Sequence, residues 1–270
     1  MIQALFVPNR SFAFAVLCTG LSLAVTSAAR FSAAEPPKQS SVPTKSDAAK
    51  SNSPKPDAAR PAANPAPAKE TRTVGVVLYP GFELLDVCGP VEMFGNVGKP
   101  LKVITVAQKA GDVKCTQGPA MKAEYGFDDC PPLDLLLVPG GFGTIRELNN
   151  EKLLSWLRER AAKAEIVTSV CSGSAILAKA GLLDGRRATS NKVYFQMAVS
   201  NGPKVEWIKK ARWVDDGDRV TSSGVSAGTD MALHVIERLY GEQIAQKIAD
   251  GTEYQWHRDA DDDPFAKFAK

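Results

Sequence analysis

The stretch that decides the fold is Glu165-Ile-Val-Thr-Ser-Val-Cys171-Ser-Gly-Ser-Ala-Ile-Leu-Ala-Lys-Ala-Gly181. A short β-rich run leads into a cysteine, then tiny residues, then an amphipathic helix. A residue at such a junction sits on a sharp strand-to-helix turn. Its side chain is pushed out above the end of the sheet, next to the free N–H groups of the new helix. This is a nucleophile elbow with a thiol in place of the hydroxyl. The helix N-terminus also predicts a lowered thiol pKa and a reactive thiolate. A buried structural cysteine is the competing reading. The sharp turn and the tiny flanking residues favour the functional one.

Outward from the elbow, apolar runs over residues 73–79, 101–107 and 133–138 read as strands, with the strand over 166–170 entering the elbow. They are continuous rather than alternating, as in a sheet covered on both faces. Helices are expected near 85–97, 150–164, 192–199, 231–240 and 242–250. Residues 112–124 read as a hairpin or irregular excursion. Residues 212–215 and 219–222 read as a second hairpin, joined through Asp216-Gly217. Ser226-Ala-Gly-Thr-Asp230 is expected to supply N-cap residues for the helix from Met231. Strands alternating with helices imply an α/β fold with a mainly parallel sheet and helices on both faces. Ligands in such sheets bind at the carboxyl ends of the strands, where the elbow lies.

The first 70 of the 270 residues are not domain-like. Residues 1–34 carry a basic start, an uncharged apolar run over 11–29 and small residues for cleavage, which is a secretory signal pattern. An uncleaved N-terminal anchor is the alternative. Residues 35–70 are rich in Pro, Ala, Lys and Ser and read as a disordered, semi-extended linker. Residues 1–70 hold 8 basic and 4 acidic side chains, a net of +4, which leaves 25 and 26 in residues 71–270, a net of −1. The folded part therefore offers no electrostatic argument for nucleic acid. An exported, periplasmic or extracytoplasmic protein is expected. Without Cys18, four cysteines remain. Cys115 and Cys130 flank the first hairpin and could pair, whereas Cys171 is expected to be free.

Two more strand ends converge on the elbow. In Glu83-Leu-Leu-Asp86-Val-Cys88-Gly-Pro90, Asp86 opens a helix and reads either as an N-cap carboxylate or as an acidic partner for the cysteine. In Val138-Pro-Gly140-Gly141-Phe-Gly143, three glycines favour a pocket whose backbone N–H groups face an anion or oxyanion. A plain tight turn is the alternative. Of the two histidines, His234 lies inside a helix and His257 in the polar tail over 257–270. Asn191 stands after the next strand where a base could have come. No Cys-His dyad, no metal-ligand spacing and no dinucleotide fingerprint is present, and no cofactor is expected.

Leu85-Asp86-Val-Cys-Gly89-Pro90, Cys130-Pro-Pro-Leu-Asp134, Val138-Pro-Gly-Gly141, Thr168-Ser-Val-Cys171-Ser-Gly-Ser174, Ala180-Gly-Leu-Leu-Asp-Gly-Arg-Arg-Ala-Thr189 and Gly224-Val-Ser-Ala-Gly-Thr-Asp230 resemble the PfpI-type branch of the glutamine-amidotransferase-like superfamily. The nearest subgroup is isonitrile hydratase, with the amidase-like domain of AraC-type regulators. The resemblance spans residues 73–254 and places a PfpI-like domain at 71–256 with a flavodoxin-like, doubly wound sheet. It implies Cys171 as nucleophile and Asp86 as its acidic partner. The N–H groups of Gly141 and Ser172, with Gly140 beside them, would form the oxyanion-type or substrate-binding pocket. Ser172 replaces the histidine that follows the cysteine in peptidase-like members, which argues against proteolysis. Asn191 stands where related sequences often carry histidine.

The implied reaction is hydration of an isonitrile by the Cys171–Asp86 pair. The alternatives are glyoxalase- or deglycase-like attack on a 2-oxoaldehyde, and a non-catalytic secreted ligand-binding or redox-sensing domain. For the last, Cys88 is the possible second thiol facing Cys171. No helix-turn-helix pair follows the domain within this sequence, so a DNA-binding regulator is not expected. The resemblance also implies a homodimer and a small-molecule substrate.

Overall fold

The continuous apolar strands read from the sequence assemble into one central sheet. In the computed structural model, residues 70–270 are described. The signal segment and linker expected over 1–34 and 35–70 lie outside the described residues, apart from Glu70. In chain order the elements are β1 (Arg72–Val77), α1 (Leu84–Gly95), β2 (Leu101–Val106), β3 (Gly111–Lys114), β4 (Ala120–Ala123), β5 (Leu135–Val138), α2 (Thr144–Glu147), α3 (Glu151–Ala161), β6 (Ile166–Ser169) and α4 (Gly173–Lys179). They continue with β7 (Arg187–Ala188), α5 (Phe195–Asn201), β8 (Glu206–Trp207), β9 (Trp213–Asp215), β10 (Arg219–Ser222), α6 (Ala227–Tyr240) and α7 (Glu242–Gly251). A 3-10 turn over Ala266–Phe268 closes the chain.

Six strands form the main sheet in the order β2-β1-β5-β6-β10-β9. All neighbours are parallel except β9, which runs antiparallel along β10. Every residue of β5, β6 and β10 is buried, so both faces of the sheet are covered. Helix α6 packs on both α1 and α7, and α4 packs on α3 and α5. Leu153, Leu154 and Leu157 of α3 are almost fully buried, each burial being worth about 1.5–3 kcal/mol. The chain leaves β1 toward β2 on one side and returns to β5 on the other. The crevice between β1 and β5 is therefore the switch point where such sheets bind ligands. The turn after β1 leads to Asp86, the turn after β5 holds Gly140, and β6 ends beside Cys171.

Some boundaries differ from the sequence reading for identifiable reasons. The hairpin over 112–124 is present as β3–β4, and it braces the turn after β1 through Gly81 N to Lys114 O (2.8 Å) and Thr116 N to Phe82 O (2.8 Å). A single helical turn, α2, follows the glycine loop and was not expected. Helix α6 starts at Ala227, earlier than the expected Met231. Asp230 is not its cap, because Arg212 and Tyr254 claim that carboxylate. The tail over 257–270 is acidic but not a free polar end. Arg212 N donates to Ala260 O (2.6 Å), His257 N to Asp230 Oδ1 (2.8 Å), and Asp263 is buried. No helix among the described residues is long and apolar enough to cross a membrane.

Gly173 opens α4 directly under the loop after β5. A Cβ there would collide with Val138 O and lie 2.7 Å from Pro139 O. Both obstacles are backbone and cannot rotate away. Gly173→Ala is expected to destabilise the fold by about 2 kcal/mol or more, read as a shift in the denaturant midpoint. A shift near zero would show that β5 and α4 are not in this contact.

Candidate active site

Cys171 is one of two non-glycine residues with positive φ among the described residues, at 56°. This left-handed backbone turns β6 sharply into α4. The conformation costs about 1–2 kcal/mol for an L-residue, and four hydrogen bonds hold it. The Cys171 carbonyl accepts from Ser174 Oγ (3.2 Å), Ser190 Oγ (3.1 Å) and Asn191 N (3.4 Å). Its N–H donates to Ser223 O (2.9 Å). The elbow is thus tied to the segment after β7 and to the end of β10.

Asp86 lies in the first turn of α1 and is fully buried, but it does not cap its own helix. Its Oδ2 accepts from Gly140 N at 2.7 Å, across 54 residues of sequence. Its Oδ1 is buried and has no hydrogen bond of ordinary geometry. Burial pushes the Asp86 pKa well above the usual carboxylate range, opposed by the Gly140 N–H. The nearby Glu83 charge and the Cys171 thiol also act on this carboxyl, the first raising its pKa and the second lowering it. The thiol is raised in turn, first by burial and then by the Asp86 charge. Ser172 and Asn191 lower it by less. The easily ionised thiolate expected from the helix N-terminus is therefore not the resting state. Both groups are thus shifted toward their protonated forms, chiefly by burial.

The glycine loop plays a different part from the one expected. The Gly140 N–H is committed to Asp86, and the Gly141 N–H donates to Ser172 Oγ at 3.1 Å. Neither faces an anion pocket here. Ser172 Oγ also meets Thr144 Oγ1 (2.9 Å), which meets the Tyr79 hydroxyl (3.1 Å), itself donating to Pro139 O (2.6 Å). This buried hydroxyl chain locks the loop against the elbow. At Gly140 a Cβ would come within 2.5 Å of Ser172 N and Oγ, so no other residue fits between the loop and the cysteine. Of the pocket expected from Gly140, Gly141 and Ser172, the Ser172 N–H is the donor left to the sulfur.

Asn191 is the residue that the sequence flagged without assigning a role. Its Nδ2 donates to Cys171 Sγ at 3.2 Å, while its Oδ1 accepts from Val193 N (2.9 Å) and Tyr194 N (3.2 Å). The amide is thereby fixed with its donor on the sulfur. The signal for it was position alone, after the strand that follows the elbow. His234 Nε2 is bound to Asp215 Oδ2 at 2.7 Å and His257 lies beside Asp262, so neither serves the thiol.

The four described cysteines are all free. The pairing of Cys115 with Cys130 is not formed; the Cys130 thiol faces Pro131 O instead. Cys88 is exposed, and its own thiol pKa is raised by burial and by Cys115, with no part in the shift of Cys171. Two residues beyond Asp86 on a helix, it points the other way. A second thiol at the site is thus not found. Among the described residues no group of three or more His, Cys, Asp or Glu could hold a metal.

A cavity of about 320 Å³ adjoins the elbow, lined by Leu85 beside Asp86, by Asn191 and by Ser223, with further walls from Val193, Val225 and the C-terminal tail.

The DJ-1/PfpI family model matches residues 72–238. The chain belongs to the DJ-1/PfpI family. It is 36% identical over 181 residues to an isonitrile hydratase from Pseudomonas putida, covering 67% of this chain and 78% of that one. It is 28% identical over 185 residues to the HTH-type transcriptional regulator CdhR from Pseudomonas aeruginosa, and this match spans only 52% of the regulator. Among solved structures, a ThiJ/PfpI family protein from Pseudomonas syringae superposes with a TM-score of 0.63 at 33% identity, over 77% of this chain and 84% of that one. Drosophila melanogaster DJ-1beta, at 22% identity and a TM-score of 0.61, shares the fold.

The charge coupling sets the order of thiol reactivity. With a neutral alkylating agent at pH 8, Cys171 is expected to react several-fold faster in Asp86→Asn, where the carboxylate's push is gone, and more slowly in Asn191→Leu. Peptide-level mass spectrometry reads Cys171 apart from exposed Cys88. The opposite order would contradict the assigned causes.

The carboxyl also fixes a pH dependence of stability. Its folded pKa is raised above the unfolded value of about 3.9. The stability it contributes is present below about pH 4 and lost as pH rises through the folded value. Asp86→Asn keeps an acceptor for Gly140 N–H and removes that loss. Its melting-temperature advantage over the native chain should widen from about pH 5 to pH 8. A gap that narrows over this range would refute the raised carboxyl.

Proposed function

We propose that this protein hydrates an isonitrile, R–N≡C, to the N-substituted formamide, with Cys171 as nucleophile and Asp86 as its proton partner. The observation that carries the reading is a buried thiol–carboxyl pair with a free carboxylate oxygen, Oδ1, and no histidine base. Such a pair suits addition of a nucleophile and a proton to one carbon. Sulfur bonds to the terminal carbon, and the thiol proton passes through Asp86 to that same carbon, giving a thioimidate, R–N=CH–S–Cys171. Water then adds to this carbon with Asp86 as base, and the nitrogen is protonated. Expulsion of the thiol leaves R–NH–CHO and restores the Cys171–Asp86 pair.

Access supports the same reading. Cys171 is only 5% exposed, which suits a slim linear C≡N head better than a planar amide. The relative from Pseudomonas putida that bears this activity by name is consistent with it. On the reading of residues 1–34 as an export signal, the enzyme works outside the cytoplasm with Cys171 as a free thiol, and as a homodimer.

A second reading, ligand binding without turnover, draws support from the raised thiol pKa and from the regulators in the family.

A panel of an aryl isonitrile, methylglyoxal and a peptide, followed by mass spectrometry of products, tests the assignment. Formamide is expected from the isonitrile alone. Cys171→Ala should lower its rate by roughly a thousandfold and Asp86→Asn by roughly a hundredfold. Binding of the isonitrile without any formamide would move the assignment to the second reading. Turnover of methylglyoxal alone would make the protein a glyoxalase.

A further inference from the structure

The family match ends at residue 238, yet the cavity lined by Asn191 and Ser223, both hydrogen-bonded to Cys171, is completed by residues far beyond it. Phe265 and Phe268 stand on the last turn of the chain and line the cavity together with Leu85, Val193 and Val225. Both rings are about half exposed, at 53% and 47%. They are held there by the segment before them. Asp263 is buried, its Oδ1 accepts from Phe265 N at 2.9 Å, and its Oδ2 lies 3.3 Å from Lys192 Nζ, off line for a hydrogen bond but within ion-pair range. Lys192 adjoins Asn191, whose amide is on the Cys171 sulfur.

The charges around this cavity are already matched. Lys192 Nζ also donates to Thr189 Oγ1 (2.6 Å) and Ala211 O (2.9 Å), and its charge is balanced by Asp263. Arg212 turns its Nε (2.8 Å) and Nη2 onto Asp230 Oδ2. Each cation is already paired with a buried carboxylate. A charged substrate would lose hydration without gaining a counter-ion. An apolar one would cover two exposed phenyl rings. The volume, about 320 Å³, lies at the small end of ligand sites and accommodates a cyclic or aromatic substituent.

We propose that the C-terminal segment from Asp263 to Phe268 is the substrate-selecting wall of the site: Phe265 and Phe268, fixed by the buried Lys192–Asp263 pair, select a neutral substrate bearing a bulky apolar substituent. The C≡N head group rests on the hydratase reading; the preference for the substituent is a property of the wall and can be measured without turnover.

The test is calorimetric binding to full-length Cys171→Ala of three probes: N-cyclohexylformamide, N-methylformamide and cyclohexanecarboxylate. The cyclohexyl amide should bind tightest of the three. Adding Phe265→Ala and Phe268→Ala should lower the affinity ratio of the cyclohexyl to the methyl amide about tenfold, since two ring contacts are lost. Both rings are surface-accessible, so this variant is expected to fold. Asp263→Asn should shift the ratio in the same direction by releasing the segment. An unchanged ratio in the ring variant would overturn the proposal, as would tighter binding of the carboxylate. So would a change of oligomeric state at constant ratio, which would assign the rings to a second copy of the chain. A preserved size preference in a protein that forms no formamide would sink the hydratase reading and leave the wall standing.

Discussion

The left-handed backbone of Cys171 is the constraint on which the site depends. An L-residue held there is strained by about 1–2 kcal/mol, and the surrounding structure must over-determine it. Here Ser174, Ser190 and Asn191 all donate to the Cys171 carbonyl, and Ser223 receives its N–H. These partners come from α4, from the segment after β7 and from the end of β10. Fixing one residue therefore fixes the relative placement of three strand ends. Gly173 permits the approach of β5 beneath the elbow, and Gly140 permits the approach of the loop above it. Asn191 does two things at once: its backbone pins the elbow and its side chain reaches the sulfur.

The electrostatics of the pair follow from competing magnitudes. A helix N-terminus contributes about 0.3–1 kcal/mol to a nearby anion. Withdrawing a thiolate or carboxylate from water costs several kcal/mol, and two like charges side by side cost more. Burial and mutual repulsion win, so both groups are shifted toward their protonated forms. The Gly140 N–H does not serve as an oxyanion donor; it holds carboxylate oxygen Oδ2 and leaves Oδ1 buried without a hydrogen bond. The arrangement resembles a proton-sharing dyad more than an activated thiolate. That suits chemistry in which nucleophile and proton arrive at one carbon.

The C-terminal tail shows how composition can mislead. Asp259-Ala-Asp-Asp-Asp263 reads as solvated charge. Yet Asp263 is buried against Lys192, and Asp230 is enclosed by Arg212, Tyr254 and the backbone of His257. These two pairs consume the cations nearest the cavity and fasten the tail to the domain. The result is an apolar wall built from a segment that lies outside the matched family region.

The strand-to-helix turn at Cys171, the covered parallel sheet and the first-turn position of Asp86 were legible because each rests on residues within about two helical turns of one another. A run of β-formers, a cysteine and three tiny residues specify the elbow wherever it is found. The sequence by itself also excluded a histidine base near the cysteine, simply by containing two histidines in the wrong places. Only the tertiary structure decided what each polar atom binds. Asp86 meets Gly140 across 54 residues, and Asn191 meets Cys171 across 20. It also decided the protonation of the thiol, because burial is a property of the assembled chain. The tail's role was equally hidden: a carboxylate near a chain end reads as solvent-exposed until its buried lysine is found, and sequence distance carries no information about that meeting.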